Sequence, residues 1–322
     1  LIITDRFYKE MGGSYEAIGS TLYNLRNQGI KIKFIYFNNG EREFNINLNN
    51  LIKEYEIIHF FGIWTYNHVK TFLVSILNKK KIIVTPMGAL EPWSISQKNL
   101  KKKIALLTYQ KLILRRVNIV HCTSIDEERN IKKIDPNIKT KFIPHSSNLV
   151  KNKKKSFKCE NKLKFLFFSR IHKKKGLEDV IKAWSEVKLN NCELHIYGPD
   201  GDGTKNLLID LTNKFNLQNQ IFFHEPVFKL KEKIKVYDKF DVSILLSRNE
   251  NFSYSILEAL QCSLPVFTND NTPWSEINSL NAGWYIKNEY DEIKKTLHKI
   301  SNLTKEELIE KSKNAYGLAQ KY

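Results

Sequence analysis

The segment Val242-Ser-Ile-Leu-Leu-Ser-Arg-Asn-Glu-Asn-Phe-Ser-Tyr-Ser-Ile-Leu-Glu258 passes from a short apolar run, through a polar loop, into a stretch with helical spacing. An apolar run of strand length without polar alternation marks a strand covered on both faces, and so a parallel sheet. The loop leaves that strand at its carboxyl end and hands the chain to a helix whose first N–H groups have no partner within the helix. Such a start attracts anions, phosphate above all. Glu250 would stand in the loop and Glu258 one turn inside the helix, where carboxylates accept hydrogen bonds from vicinal hydroxyls of a ribose or a sugar ring. Spacing alone leaves a plainer alternative open, with Glu250 a solvated loop acid and Glu258 a charge on the helix face.

Outward from this segment the same strand, loop and helix succession recurs. Strands are expected at 163–168, 192–197, 221–223 and 265–267, and helices at 177–187, 205–215, 231–239 and 255–261. Upstream, the polar tract KNKKKSFK at 151–158 reads as a linker. Before it the alternation runs once already, with strands at 1–4, 32–37, 57–61, 82–85, 119–122 and 141–144, and helices at 14–28, 69–77 and 98–116. The fold class is therefore α/β: two doubly wound, Rossmann-like parallel-sheet halves in tandem, with ligands expected at the carboxyl ends of the strands. The expected divisions are a first domain at 1–148, a linker at 149–160, a second domain at 161–302 and a last helix at 303–322 that crosses back to the first domain. A length of 322 residues is enough for two separate cores.

A second segment, Ser169-Arg-Ile-His-Lys-Lys-Lys-Gly176, directly follows the expected strand 163–168. Arg170 and Lys175, five apart beside a glycine turn, suit a diphosphate, the arginine through its fork and the lysine as a point charge. A solvated basic loop is the plainer alternative. Taken together, Arg170-x4-Lys175-Gly176 and Glu250-x7-Glu258 resemble the motifs of the retaining glycosyltransferases of family 4. The EAxxxGxPV stretch of that family is approximated by Glu258-Ala-Leu-Gln-Cys-Ser-Leu-Pro-Val266. The resemblance extends over nearly the whole chain. Met11-Gly12-Gly13-Ser14 looks like the family's glycine loop, and His59-Phe-Phe-Gly-Ile-Trp64 and Thr85-Pro-Met-Gly-Ala-Leu-Glu-Pro-Trp93 look like segments of members that build bacterial surface polysaccharides.

The resemblance implies the GT-B fold, two Rossmann-like domains facing across a cleft. It implies transfer of a sugar, with retained anomeric configuration, from a nucleotide-diphosphate sugar to a hydroxyl of a lipid-linked saccharide. Arg170 and Lys175 would neutralise the leaving diphosphate, Glu250 would hold the donor sugar and Glu258 the ribose. Val227, Asn251, Phe252, Ser253 and Tyr254 would complete the donor site, with Gly12 and Gly13 beneath the phosphates. No cofactor and no metal are expected. Three positions depart from the family pattern: Met87 and Phe61 stand where members have histidines, and Ser253 replaces a glycine. His59 is a candidate substitute polar group, and a catalytically impaired GT-B binding subunit stays open as a second reading.

Lysine and arginine number 52 against 34 acidic residues, a formal charge of +18 that favours anionic partners. With 42% hydrophobic residues, wholesale disorder is excluded, and no apolar run reaches the roughly 18 residues of a spanning helix. From Pro92 to Ile125 there are seven basic residues and no acidic one. Lys98, Lys101, Lys102 and Lys103 are expected to face an anionic membrane peripherally, at its cytoplasmic side, whereas the apolar residues of 104–114 fall all round the helix and are expected to be buried. Binding to nucleic acid is a weaker alternative, since no helix-turn-helix, RNA-binding or zinc signature accompanies the charge, and no nucleic-acid partner is expected. Asp200-Gly-Asp202 lies in a glycine-rich turn and reads as turn chemistry. The four cysteines are too far apart for zinc or a disulfide framework, which fits a reducing cytosol. Because the chain opens on Leu1 inside an apolar run, its natural start is expected a few residues upstream, without a secretory segment.

Overall fold

A computed structural model of the chain describes residues 1–37, 47–97, 99–147 and 162–322. The chain divides into two compact units, 1–146 and 147–322. The expected linker, 149–160, lies outside the described residues.

The first unit contains β1 (Ile2–Thr4), α1 (Gly13–Asn27), β2 (Phe34–Tyr36), α2 (Leu48–Lys53), β3 (Ile57–Phe61), α3 (Tyr66–Leu77), β4 (Lys81–Thr85), α4 (Pro92–Ser96), α5 (Asn99–Ala105), α6 (Lys111–Arg116), β5 (Ile119–Cys122), α7 (Ile125–Ile134) and β6 (Thr140–Phe142). Its six strands are all parallel, in the order β2-β1-β3-β4-β5-β6. The second unit contains β7 (Leu163–Phe168), α8 (Leu177–Val187), β8 (Cys192–Tyr197), α9 (Thr204–Lys214), β9 (Ile221–His224), α10 (Leu230–Tyr237), β10 (Val242–Leu245), α11 (Tyr254–Gln261), β11 (Val266–Asn269), α12 (Glu276–Ser279), β12 (Gly283–Ile286), α13 (Tyr290–Ser301) and α14 (Lys305–Ala319). Its strands, again parallel, follow the order β12-β11-β10-β7-β8-β9. Both sheets are Rossmann-like, as expected from the sequence.

Strand order decides where each unit offers a site. The succession reverses between β1 and β3 in the first sheet and between β7 and β10 in the second. At such a switch point the adjoining connections leave to opposite faces and open a crevice beyond the strand ends. The strands form where the apolar runs demand. Phe165, Leu166 and Phe167 on β7 are fully buried, so side chains on both faces of the sheet are covered. Helix α8 supplies one cover, burying Leu177, Val180, Ile181 and Trp184 at helical spacing, with Trp184 edge-on to Phe165 at 5.2 Å.

The structure adds three details to the expected elements. The sixth strand of the second sheet, β12, escapes a periodicity reading because it is four residues long and opens on a glycine. That glycine is required: Gly283 has φ +158, and a Cβ there would lie 2.1 Å from the Val266 carbonyl oxygen. The last helix, α14, is part of the second compact unit. It packs on α11 and β12, the Ser312 hydroxyl donates to the Ser263 carbonyl at 2.6 Å, and Tyr322 and Lys321 bind Glu276. Finally, the helix expected at 98–116 forms as α5, a π-helical turn at Leu106–Gln110, and α6. Ile113 and Leu114 are buried as expected, but Leu107 is 79% exposed, Leu100 74% and Ile104 52%. Those three share a face, because their spacing of three and four residues follows the helical turn.

A hydrogen-bonded chain crosses the first sheet. His59 Nε2 lies 2.7 Å from Thr85 Oγ1, Thr85 Oγ1 lies 2.9 Å from His121 Nδ1, and His121 Nε2 lies 2.8 Å from the Ile143 carbonyl oxygen. The carbonyl only accepts, so His121 carries its proton on Nε2. Its Nδ1 then accepts from the Thr85 hydroxyl, which in turn accepts from His59 Nε2–H. Burial holds His59 and His145 neutral down to about pH 3, assisted by the charge that His121 would carry, and burial also lowers His121. An unfolded chain protonates these rings near about pH 6.5. It therefore binds more protons than the native chain below that pH, and stability falls as pH falls. Glu91 works in the opposite sense, since burial and Glu127 raise its carboxyl to about 7. His68, lowered by burial to about 4, acts in the same sense as these rings, so thermal unfolding should show Tm declining from about pH 7 to about pH 5, less steeply in His145→Gln. A flat profile over that interval contradicts the neutral, buried rings.

Candidate active site

At the switch point of the second sheet, the loops that leave β7 and β10 lock together. After β7 the chain passes Arg170, makes a 3-10 turn at Lys173–Lys175, and enters α8 through Gly176 in the left-handed conformation, φ 73°. Only glycine fits, because a Cβ at Gly176 would lie 1.9 Å from the Leu246 carbonyl oxygen at the end of β10. One residue pair on, the Arg248 N–H donates to the Lys174 carbonyl at 2.7 Å, and the Glu250 N–H donates to Asn271 beyond β11 at 2.9 Å.

This backbone seam brings Lys175 Nζ within 2.6 Å of Glu250 Oε1, with side chains only 9% and 8% exposed. The plainer alternative for both residues is thus excluded, since neither is a solvated surface charge. Burial alone would raise the Glu250 carboxyl, but Lys175 and Lys174 outweigh it and hold the acid below its usual range. Lys174 is lowered, first by burial and then by Lys175 and Arg170, against the pull of Glu250. One carboxylate is therefore shared between two lysines. Arg170, half-buried beside them, makes no ion pair among the described residues. Its side chain lies across Gly201, where an added Cβ would meet the arginine stem at 2.8 Å.

That glycine sits between Asp200 and Asp202, whose carboxylates serve the turn. The Asp200 carboxylate accepts the Asp202 N–H, and that of Asp202 accepts from Thr204 Oγ1 and lies 3.4 Å from His172. Among the described residues no cluster of three His, Cys, Asp or Glu side chains is placed to hold a metal ion.

Glu258 is buried on α11 and engaged from α10: Lys233 Nζ lies 2.8 Å from Oε1, and the Tyr237 hydroxyl donates to Oε2 at 3.0 Å. Lys233 and Tyr237 are absent from the sequence expectation. They stand one helical turn apart, but the segment around them is rich in lysine, and nothing local singles them out. Ser253 precedes α11 at φ 67°, ψ 87°, so it adopts the left-handed conformation that the family's glycine would take. Phe252 and Tyr254 are buried, Phe252 in a cluster with Trp274 and Tyr322, and the Phe252 carbonyl accepts from the Trp274 indole. Asn251 is half-buried in the same loop, and Val227 is half-buried in the loop between β9 and α10.

The expected first-unit residues lie at that unit's own switch point. Gly12, φ 62°, turns the chain after β1, and α1 starts at Gly13. His59 on β3 is taken up by Thr85 and stacks on Phe61 at 4.4 Å. The two departures from the family pattern prove to be neighbours: Phe61 and Met87 join one apolar cluster with Ile2, Ile18 and Leu22. The turn that carries Met87, itself at φ 57°, is pinned by Glu127 on α7. Its Oε1 accepts the Gly88 N–H at 2.6 Å and its Oε2 the Thr123 N–H at 2.8 Å. Of the expected membrane-facing lysines, Lys101 and Lys103 are exposed, Lys102 turns back to the Ser94 carbonyl at 2.5 Å, and Lys98 lies outside the described residues.

Comparison with known proteins sets this geometry in a family. The sequence profile described as Glycosyl transferases group 1 matches residues 150–317. No curated protein matches the sequence. Among solved structures, HepE of Anabaena, in complex with UDP and glucose, superposes with TM-score 0.74 at 16% identity, over 99% of this chain and 94% of that one. Sucrose-phosphate synthase of Thermosynechococcus elongatus gives TM-score 0.77 at 15% identity, over 99% and 94%. WaaG, a glycosyltransferase involved in lipopolysaccharide biosynthesis, gives 0.71 at 14%, over 100% and 96%. These likenesses show the GT-B fold, and the profile, which spans half of the chain and both candidate loops of the second unit, shows more: the chain belongs to the group 1 glycosyltransferases.

Proposed function

We propose that this glycosyltransferase is a retaining enzyme of family 4 that takes a nucleotide-diphosphate sugar as donor and a hydroxyl of a lipid-linked saccharide as acceptor, in the assembly of a bacterial surface polysaccharide. The observation that carries the donor half is the buried Lys175–Glu250 pair with Lys174 and Arg170 around it. Cations gathered in a half-buried crevice at a switch point match a diphosphate, and preorganised charge lowers the barrier where negative charge develops on the leaving group. Arg170 is the fork for the phosphates, Lys175 orients Glu250 towards the donor sugar, and Glu258, set by Lys233 and Tyr237, takes the ribose. Val227 marks the loop for the base, and the main chain of Asn251, Phe252, Ser253 and Tyr254 borders the phosphates at the start of α11. No metal is required in this reading, because the cations and the helix start supply the neutralising charge. The UDP complex of HepE supports a uridine nucleotide, and the pathway of WaaG supports the surface-polysaccharide role.

A second reading, a binding subunit without turnover, is favoured by one observation: Met87 and Phe61 put apolar side chains together where the family has histidines. Incubation with UDP-, GDP- and ADP-sugars separates the two, since nucleotide release supports the enzyme and a thermal shift without release supports the subunit.

The acceptor half rests on the exposed face of α5 and the following π turn. Leu100, Ile104 and Leu107 project beside Lys101 and Lys103, an arrangement suited to peripheral docking on an anionic membrane, where each basic residue contributes about 1 kcal/mol. Among the described residues no helix is long and apolar enough to cross a membrane.

Two outcomes are expected. Arg170→Ala should lower kcat/KM about 10- to 100-fold, the worth of a charged hydrogen bond, with Tm unchanged, because the side chain has no ion pair to lose. Lys175→Ala should abolish turnover and also cost about 3–5 kcal/mol of stability, since it strands a buried carboxylate. Full turnover in both variants sinks these assignments. For the membrane face, co-sedimentation with anionic vesicles at low salt should be lost in Leu100→Asp/Leu107→Asp, and absence of binding by the wild type contradicts docking.

A further inference from the structure

Between α4, α5 and α7, on the first unit, lies a hollow of about 390 Å³ that is open to the surface. Leu90, Ile95 and Ile134 form apolar walls, while Lys103, Lys133 and Asn130 line it as well, and no carboxylate does. Lys103 and Lys133 are exposed, and neither makes an ion pair among the described residues. Asn130 is fixed by donating to Glu91 Oε2 at 2.6 Å. The other Glu91 oxygen is buried without a partner. Lysine ammonium groups beside an apolar hollow match an anionic head on an apolar chain, and Lys is a common point-charge partner of phosphate. The hollow also adjoins the exposed apolar face already described, because Lys103 lies on the same helix as Leu100 and Ile104.

We propose that this cavity is a binding site for a phosphorylated apolar chain, with the chain against Leu90, Ile95 and Ile134 and the phosphate between Lys103 and Lys133. The inference deepens the lipid-linked acceptor reading, and rests on it, by giving the lipid phosphate a seat in the first unit. Exposed lysines beside an apolar stripe would attract a membrane surface in any case. A hollow of molecular size adds a place for one chain, so the site should take a monomeric amphiphile in the absence of any bilayer.

The probe is dodecyl phosphate below its micellar concentration, titrated calorimetrically into the full chain, with inorganic phosphate and dodecyl maltoside as comparators. Dodecyl phosphate should bind at least about 100-fold more tightly than inorganic phosphate and outbind the maltoside, which lacks the charge. Lys103→Ala/Lys133→Ala, both exposed positions that leave folding intact, should weaken it about 10-fold or more. Failure of the wild type to bind, equal affinity for inorganic phosphate, or an unchanged affinity in the double variant overturns the site. Wild-type protein that sediments with anionic vesicles but ignores the monomeric amphiphile also overturns it, leaving a membrane surface as the ligand. A parallel thermal shift with UDP keeps the readings apart: a UDP response without amphiphile binding removes the cavity alone, and the reverse removes the donor reading and keeps the cavity.

Discussion

Burying Lys175 against Glu250 takes two opposite charges out of water, and the loss of hydration is offset only where the geometry keeps them together. Here the backbone does so. Gly176 lets the first loop lie against the end of β10, the Arg248 N–H closes the seam onto Lys174, and the Glu250 N–H ties the second loop to Asn271. Lys174 adds a second positive charge to the same carboxylate, so Glu250 stays ionised despite its burial. A pair of this kind is weak evidence for stability. Its use is positional: it fixes a carboxylate and a cation at the point where the strand order reverses, and Arg170 stands beside them without an ion pair.

Much of this was legible in the sequence. Eleven of the twelve strands among the described residues announce themselves as apolar runs, whereas Arg170, Lys175, Glu250 and Glu258 stand out only through the resemblance to a family, since their spacing alone leaves a plainer reading open. The partners of Glu258 do not. Lys233 and Tyr237 lie on another helix, among many lysines, and only tertiary packing selects them. Glu127 is similar, for its role in pinning the Met87 turn depends on where α7 passes β4. The exposure of Ile104 and Leu107 was misjudged because a helix that is apolar all round is normally buried, whereas here Ile113 and Leu114 of α6 are the buried ones and Leu107, in the π turn, is left in solvent.

The departures from the family pattern have a shared physical basis. Changed together, Phe61 and Met87 pack on Ile2, Ile18 and Leu22. The polar groups of this strand end are instead collected on His59, Thr85 and His121, whose hydrogen bonds run in one direction and close on a carbonyl. Ser253 is a different case. It keeps the backbone of a glycine, and the left-handed conformation costs a residue with a side chain about 1 kcal/mol, so the change preserves the loop's path.

The contact of Gly176 with the Leu246 carbonyl has a kinetic consequence. Two loops that touch backbone to backbone, without a side chain between them, have no slack through which one can shift alone. Opening either must break the Arg248 hydrogen bond and separate Lys175 from Glu250 in the same event. Amide protons on both stretches would then exchange with solvent through one shared fluctuation, as a single cooperative segment, and a molecule that holds either loop shut slows the exchange of both.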